Sequence, residues 1–223
     1  SIAPTATKAG AAMKLVLLGI TGDTGHSCAE QALARGHHIC AVVRTPSKVS
    51  LTHPNLKVVK GDVFEASSLI ESFAGSDAVI SCVGVSSPMQ ARKGTTVYSA
   101  GTRNIVEAMR QTERTRLIVV SSAGVAPRKG APFIYKVIVK PFFLEPAYRD
   151  MRLMEEFLQS TALDWTIVRP PLLTGKPLHT DYRLQADHNF ADDRPLPRQS
   201  LAHFLLAESE SPRFIRHVVA ISG

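Results

Sequence analysis

The segment Lys14-Leu-Val-Leu-Leu-Gly19-Ile-Thr-Gly22-Asp-Thr-Gly25 sets a short apolar run directly against three glycines near the start of the chain. An apolar run of that length reads as a buried parallel strand, and the glycines as a tight turn into a helix that begins near Thr24. Good helix formers continue through Ala29-Glu-Gln-Ala-Leu-Ala-Arg35, Gly36 stops them, and His38-Ile-Cys-Ala-Val-Val-Arg44 is a second buried strand. Strand, glycine turn, helix and strand in this order open a doubly wound α/β sheet.

A helix that starts at a glycine turn presents unpaired backbone N–H groups and the positive end of its dipole, which suits the pyrophosphate of a dinucleotide. The candidate contacts are Gly19, Thr21, Gly22, Asp23, Thr24 and Gly25. Their spacing is Gly-x-x-Gly-x-x-Gly, not the commoner Gly-x-Gly-x-x-Gly, so the flanking strands and helix carry the inference. The alternative is a structural turn that binds nothing.

The second strand indicates which dinucleotide. An NAD site places an acidic residue about 20 positions beyond the glycines to hold the ribose 2′-OH, whereas an NADP site offers positive charge to the 2′-phosphate. Between Glu30 and Asp62 there is no Asp or Glu; the strand instead runs into Arg44-Thr-Pro-Ser47-Lys48. Two cations and two hydroxyls in a short loop favour NADP(H) as cofactor, with Arg44, Ser47 and Lys48 on the phosphate. The plain alternative is a pair of solvated loop charges.

Strand and helix signals keep alternating. Lys57–Val63 reads as a third strand, residues 65–74 as helix, Asp77–Gly84 as a fourth strand, residues 95–111 as helix with Asn104 available to bond backbone, and Arg116–Gly124 as a fifth strand. Met151–Gln159 is helical and Asp164–Pro171 a sixth strand. Ligand-facing residues of an open α/β sheet lie just beyond the carboxyl ends of its strands. Asp62 and Val63 are therefore expected near the adenine, Val83 and Gly84 under the adjoining ribose, and Ser121, Ser122, Pro170 and Leu172 towards the nicotinamide. Asp62 reads equally as a turn or cap residue.

At 223 residues and 44% hydrophobic, the chain suits one globular domain, from about residue 13 to the C-terminus, with no apolar run long enough for a membrane span. The formal charge of +7 raises nucleic acid as a partner, but only 6% of residues are aromatic, the cations are dispersed and zinc-finger spacing is lacking. A small acidic substrate accounts for the surplus better. Cys28, Cys40 and Cys82 give neither an even disulfide set nor a Cys-x-x-Cys pair, which fits a reducing compartment, the cytoplasm. Residues 1–12 read as a disordered extension, an expression remnant or a trimmed plastid-type presequence. The histidines show no metal-ligand spacing, so no metal is expected, and no Gly-x-Ser-x-Gly element marks an acyl-transfer nucleophile.

Five separated motifs together resemble one family: Gly19-Ile-Thr-Gly-Asp-Thr-Gly25, Val42-Val-Arg-Thr-Pro-Ser-Lys48, Gly61-Asp62-Val63, Ser121-Ser122-Ala123 and Leu163-Asp-Trp-Thr-Ile-Val-Arg-Pro-Pro171. They are similar to the atypical short-chain dehydrogenases with a Rossmann-like NAD(P)-binding domain, and among these to the biliverdin-IXβ reductase/flavin reductase group. Gln199–Leu206 resembles that group's last helix. The resemblance implies NADPH binding and hydride transfer to flavins, bilin-type tetrapyrroles or similar conjugated acceptors. It also implies that Arg44, Ser47 and Lys48 match a 2′-phosphate loop, that Thr24 lies in a pyrophosphate loop, and that Ser122 matches a serine beside the substrate. Leu172 stands where the group has a histidine after the Pro-Pro pair, a departure at which the resemblance implies no polar substrate contact.

Ordinary short-chain dehydrogenases use Tyr-x-x-x-Lys, in which the lysine lowers the tyrosine pKa. Here Tyr98, Tyr135, Tyr148 and Tyr182 are followed four positions later by Thr102, Val139, Arg152 and Ala186. Tyr148 with Arg152 comes nearest, and reads equally as packing plus a solvated charge. Without that dyad a site is suited to electron-poor π systems, with Ser122 and then Ser121 as candidate proton donors; both equally suit bonds to the nicotinamide amide or the strand end. The apolar stretch 131–144, with Lys136 and Lys140 near Arg128 and Lys129, reads as a substrate cover, a packed helix or a dimer contact. Residues 175–198, with His179, Tyr182, His188 and Phe190, read as a substrate-side flap. Two functions survive: an NADPH-dependent reductase, or a non-catalytic NADP(H)-binding redox sensor of a protein partner. Either is expected as a monomer or weak homodimer.

Overall fold

The computed structural model describes residues 11–85, 95–126 and 144–223. Its elements run β1 (Lys14–Leu18), α1 (Asp23–Ala34), β2 (His38–Val43), β3 (Leu56–Lys60), α2 (Ile70–Phe73), β4 (Ala78–Ser81), α3 (Ser99–Gln111) and β5 (Arg116–Val120). There follow α4 (Glu145–Gln159), β6 (Asp164–Arg169), β7 (Leu173–Thr174), β8 (Arg183–Ala186), β9 (Leu196–Pro197), α5 (Arg198–Glu210) and β10 (His217–Ser222). Residues 128, 129, 131–143 and 1–10, on which expectations fell, lie outside the described residues.

Alternate residues of a strand face opposite sides of a sheet, and β1 needs apolar residues on both. Leu15 and Leu17 pack into one core with Cys28, Ala29, Ala32 and Leu33 of α1 and with Leu201, Leu205 and Leu206 of α5. Val16 and Leu18 pack into the other, with Ile105 and Met109 of α3 and Met154 and Leu158 of α4. Burial on both faces explains why the strand sequence is continuously hydrophobic.

The main sheet has eight strands in the order β3-β2-β1-β4-β5-β6-β10-β8. All neighbours are parallel except β8, which pairs antiparallel with β10, Leu184 opposite Ile221. The chain steps outward from β1 to β3 and then returns to β4 on the other side of β1. That reversal opens a crevice at the carboxyl end of β1, where the glycine turn lies.

Local order departs from expectation in two places. Residues 65–74 form a 3₁₀ turn at Ala66–Ser68 followed by the single-turn α2, because Ser68 bonds back to Glu65 and Asp62. Segment 175–198 is more regular than a flap: it supplies β8 to the sheet edge, β9 to a small pair with β7, and a buried Tyr182 whose hydroxyl bonds His203 Nδ1 at 2.9 Å. Among the described residues no helix is long and apolar enough to cross a membrane.

Candidate functional site

The turn after β1 needs glycine at two positions for its own sake. Gly19 has φ +88°, and a Cβ there would sit 2.5 Å from the carbonyl oxygen of Cys82; a Cβ at Gly25 would sit 2.2 Å from that of Gly19. These glycines let the strand turn and let α1 lie close to it. Gly22 differs: a Cβ there would come no nearer than 3.6 Å to the protein. It is the exposed N-cap of α1, without a side-chain cap bond. The first N–H groups of a helix have no partner within it, and a bare cap leaves them open to an anion. Two of the glycines thus answer to the chain, and the third fits a pyrophosphate resting on the helix end.

Thr21, Gly22 and Asp23 share a cleft of about 280 Å³ with Ile20, His26, Ser27, Lys48, Val49 and Ser50. The structure therefore brings the glycine turn and the end of the basic loop together across the crevice. Arg44, Ser47 and Lys48 are all exposed, and Pro46–Lys48 is a 3₁₀ turn with proline in its first turn, which fixes the loop's path. Thr24 is half-buried in the first turn of α1. His26, Ser27 and Ser50 were not singled out from sequence; His26 follows Gly22 by one helical turn and Ser50 follows Lys48 by two residues, spacings that could have flagged them. A larger hollow of about 560 Å³ lies at the opposite, amino-terminal ends of β1 to β3 and shares no residue with the glycine turn.

The other strand ends are placed as follows. Asp62 takes part in a turn: its carboxylate accepts from Phe64 N–H at 3.0 Å, and its own N–H donates to Ser68 Oγ at 2.9 Å. Val63 packs beside Gly101 of α3, and its carbonyl accepts from Asn104 Nδ2 at 2.9 Å, the backbone bond expected of that asparagine. Val83 is half-buried against the α3 side of the core. A Cβ at Gly84 would lie 3.2 Å from the hydroxyl of Tyr98, which itself accepts from Val85 N–H; burial pushes the Tyr98 phenol up from its ordinary range. Pro170 is buried and its carbonyl accepts from Ala123 N–H at 2.9 Å. Leu172 is 70% exposed, the most open of the large apolar side chains among the described residues.

Ser121 and Ser122 part company. Ser121 is buried and donates to Glu155 Oε1 at 2.6 Å. Glu155, also buried, pairs with the guanidinium of Arg169, whose Nε lies 3.0 Å from Oε1 and whose Nη1 reaches Asn189 at 3.4 Å. Ser122 is half-buried, and its oxygen accepts from Gly124 N–H at 3.2 Å, capping the 3₁₀ turn Ala123–Val125. Ser121 has thus committed its proton to the fold, while the Gly124 bond leaves that of Ser122 available. Tyr148 lies directly over this turn, since a Cβ at Gly124 would fall 2.4 Å from its hydroxyl. Arg152 pairs with Glu145 and donates to Val125 O at 3.3 Å. Among the described residues no cluster of three His, Cys, Asp or Glu side chains could hold a metal ion.

A family model described as NAD(P)H-binding matches residues 19–212. A chloroplastic protein of Arabidopsis thaliana, itself uncharacterized, is 30% identical over 179 residues, a match spanning 74% of this chain and 60% of that protein. Among solved structures, a short-chain dehydrogenase/reductase from Veillonella parvula in complex with NADP superposes with a TM-score of 0.75 at 18% identity, covering 95% of this chain and 94% of the other. A Streptococcus pneumoniae protein whose assignment as an NADH-flavin reductase is provisional superposes with a TM-score of 0.71 at 22% identity, covering 94% and 99%. At these identities the two structures speak for the fold.

Proposed function

The chain belongs to the NAD(P)H-binding family, and from that premise we infer that it is an NADPH-dependent reductase of a planar conjugated acceptor, a flavin or bilin-type tetrapyrrole. The observation that carries the reading is the shared cleft, in which the helix end behind Gly22 faces Lys48 with an acid-free strand edge beside it. A pyrophosphate fits the first and a 2′-phosphate the second. The bound nicotinamide supplies the hydride.

The chain's own contribution is to bind, orient and donate a proton. Gly19 and Gly25 fix the turn, Arg44, Ser47 and Lys48 hold the phosphate, and Ser122 offers its O–H at the rim of the crevice. The buried Ser121–Glu155–Arg169 chain stiffens the turn that carries Ser122. Such a site suits a reaction in which donor and acceptor rings are held face to face and little acid assistance is needed. The flavin-reductase name carried by the streptococcal protein supports this acceptor class, and the chain's positive charge suits an acidic one. The same reading has a monomer or weak homodimer acting in the cytoplasm, where the three free thiols stay reduced.

A second reading, a non-catalytic redox sensor, draws on one observation: Ser121 and Ser122 are each already bonded within the fold. The test is oxidation of NADPH followed at the nicotinamide absorbance with FMN, beside NADH and a flavin-free control. Preferential, flavin-dependent consumption of NADPH is the expected result. No consumption by a protein that demonstrably binds NADPH would remove the flavin and leave a reductase of a narrower acceptor or the sensor.

A further inference from the structure

Helices α1 and α5 pack in one core and run the same way, with ion pairs joining their starts and their ends. Arg198 Nε meets Asp23 Oδ2 at 3.3 Å at their starts, and Arg35 Nη1 meets Glu210 Oε2 at 3.0 Å at their ends. The first pair stands at the edge of the cofactor cleft, since Asp23 lines that cleft beside Gly22. A carboxylate in the first turn of α1 is favourable for the helix dipole, but it is a poor neighbour for a pyrophosphate seated on the same helix end. Asp23 is 81% exposed in its side chain.

Arg198 is built to offset it. The guanidinium has five N–H donors, and only the Asp23 pair engages it among the described residues. Its base is rigid. The carbonyl of Gln199 accepts from Gln31 Nε2 at 2.9 Å, Gln199 Oε1 accepts from Leu178 N–H at 2.9 Å, and the buried Ser200 hydroxyl exchanges bonds with the backbone of His179. A cation on a fixed stem, paired with a residue that lines the anion site and with its Nη donors uncommitted, is preorganised for a second anion.

We propose that Arg198 is a pyrophosphate-binding residue, held at the cleft by Asp23 until the cofactor enters, and that Asp23 weakens binding in return for keeping the guanidinium in place. This rests on the dinucleotide reading of the crevice and adds to it a contact from the far end of the chain. Because pyrophosphate is common to NADH and NADPH, Arg198 strengthens both equally, whereas Arg44 distinguishes them.

The test is calorimetric titration of wild type, Arg198→Gln, Arg198→Lys, Asp23→Asn and Arg44→Asp with three probes. ADP-ribose carries the pyrophosphate without a 2′-phosphate, 2′-AMP carries the 2′-phosphate without a pyrophosphate, and NADPH has both. Arg198→Gln is expected to weaken ADP-ribose and NADPH by about five- to twentyfold and to leave 2′-AMP unchanged. Arg198→Lys should hold within about threefold of wild type, and Asp23→Asn should tighten ADP-ribose, by about two- to fivefold. The proposal is overturned if Arg198→Gln leaves ADP-ribose binding intact, if it weakens 2′-AMP equally, or if Asp23→Asn weakens ADP-ribose as Arg198→Gln does, the mark of a mere staple between helices. Selective loss of 2′-AMP in Arg44→Asp with no effect of Arg198→Gln would remove this proposal and spare the cofactor reading. Failure of wild type to bind any probe would remove both.

Discussion

Ser121 donates its proton to buried Glu155, whereas Ser122, among the described residues, only accepts one from Gly124. Replacing Ser122 with Ala is therefore expected to slow flavin-dependent NADPH turnover about tenfold while NADPH affinity stays within about twofold, read by initial rates and by titration. An unchanged rate would reduce Ser122 to a turn residue. The serine pair at the end of a strand was legible in the sequence; the difference between its members was not. That difference is set by Glu155, 34 residues further along the chain, and by the Arg169 that holds it. Asp62 shows the same limit: an aspartate after a strand serves a turn or a ligand, and its bonds with Phe64 and Ser68 were not legible in the sequence. The glycines were legible as a set, but the division between Gly19 and Gly25, which the chain needs, and Gly22, which it does not, required coordinates.

At the scale of elements, the alternation of strand and helix through β6 followed from hydrophobic runs and their glycine boundaries, and the sheet contains those strands in the expected succession. The edge strand β8 was illegible because Arg183-Leu-Gln-Ala is short and every residue is only half-buried, so the pattern carries little period-two signal. Its partner β10 defines it. Buried charges were also hidden. Glu208 of α5 lies wholly inside the protein, where its carboxylate accepts from Arg116 Nη2 at 2.9 Å and from the N–H groups of Arg213 and Phe214. It ties the start of β5 to the turn leading into β10. Burial lowers the Arg116 guanidinium pKa, opposed by the Glu208 charge, so removing either partner strands the other. Glu208→Ala is expected to cost about 3–5 kcal/mol, measured as a fall in unfolding free energy in urea. A loss below about 1 kcal/mol would mean that water reaches Arg116 in the folded state.

For the whole molecule, groups with shifted pKa values bound the pH range of stability. Burial, aided by Arg35 and opposed by Glu210, lowers the His203 pKa below its ordinary 6.5, so the unfolded chain takes up a proton first as pH falls. Stability is then full above about 6.5 and declines below it until His203 itself protonates. Desolvation raises the Asp187 carboxyl, but its bonds with His217 and Val218 and the charges of His217 and His188 together outweigh it and hold the pKa below its ordinary 3.8, so its contribution is lost as pH falls below that value. Burial raises the Cys28, Cys40 and Cys82 thiols above their ordinary 9.0 and pushes Tyr182 up to about 12, so stability declines again once the unfolded thiols ionise above 9.0 and further once the unfolded phenol ionises above 10.0. Urea midpoints should thus be highest between roughly pH 7 and 9, and His203→Gln should flatten the fall just below neutrality; a fall that persists unchanged in that variant would assign it to another group. The central claim concerns the cofactor. Equilibrium titration of NADPH and NADH into wild type and Arg44→Asp tests it most directly. The expected result is tighter NADPH than NADH in wild type, with Arg44→Asp losing roughly ten- to a hundredfold of NADPH affinity and leaving NADH within about threefold. Equal losses for both dinucleotides, or none, would contradict the assignment of the Arg44–Lys48 loop to the 2′-phosphate.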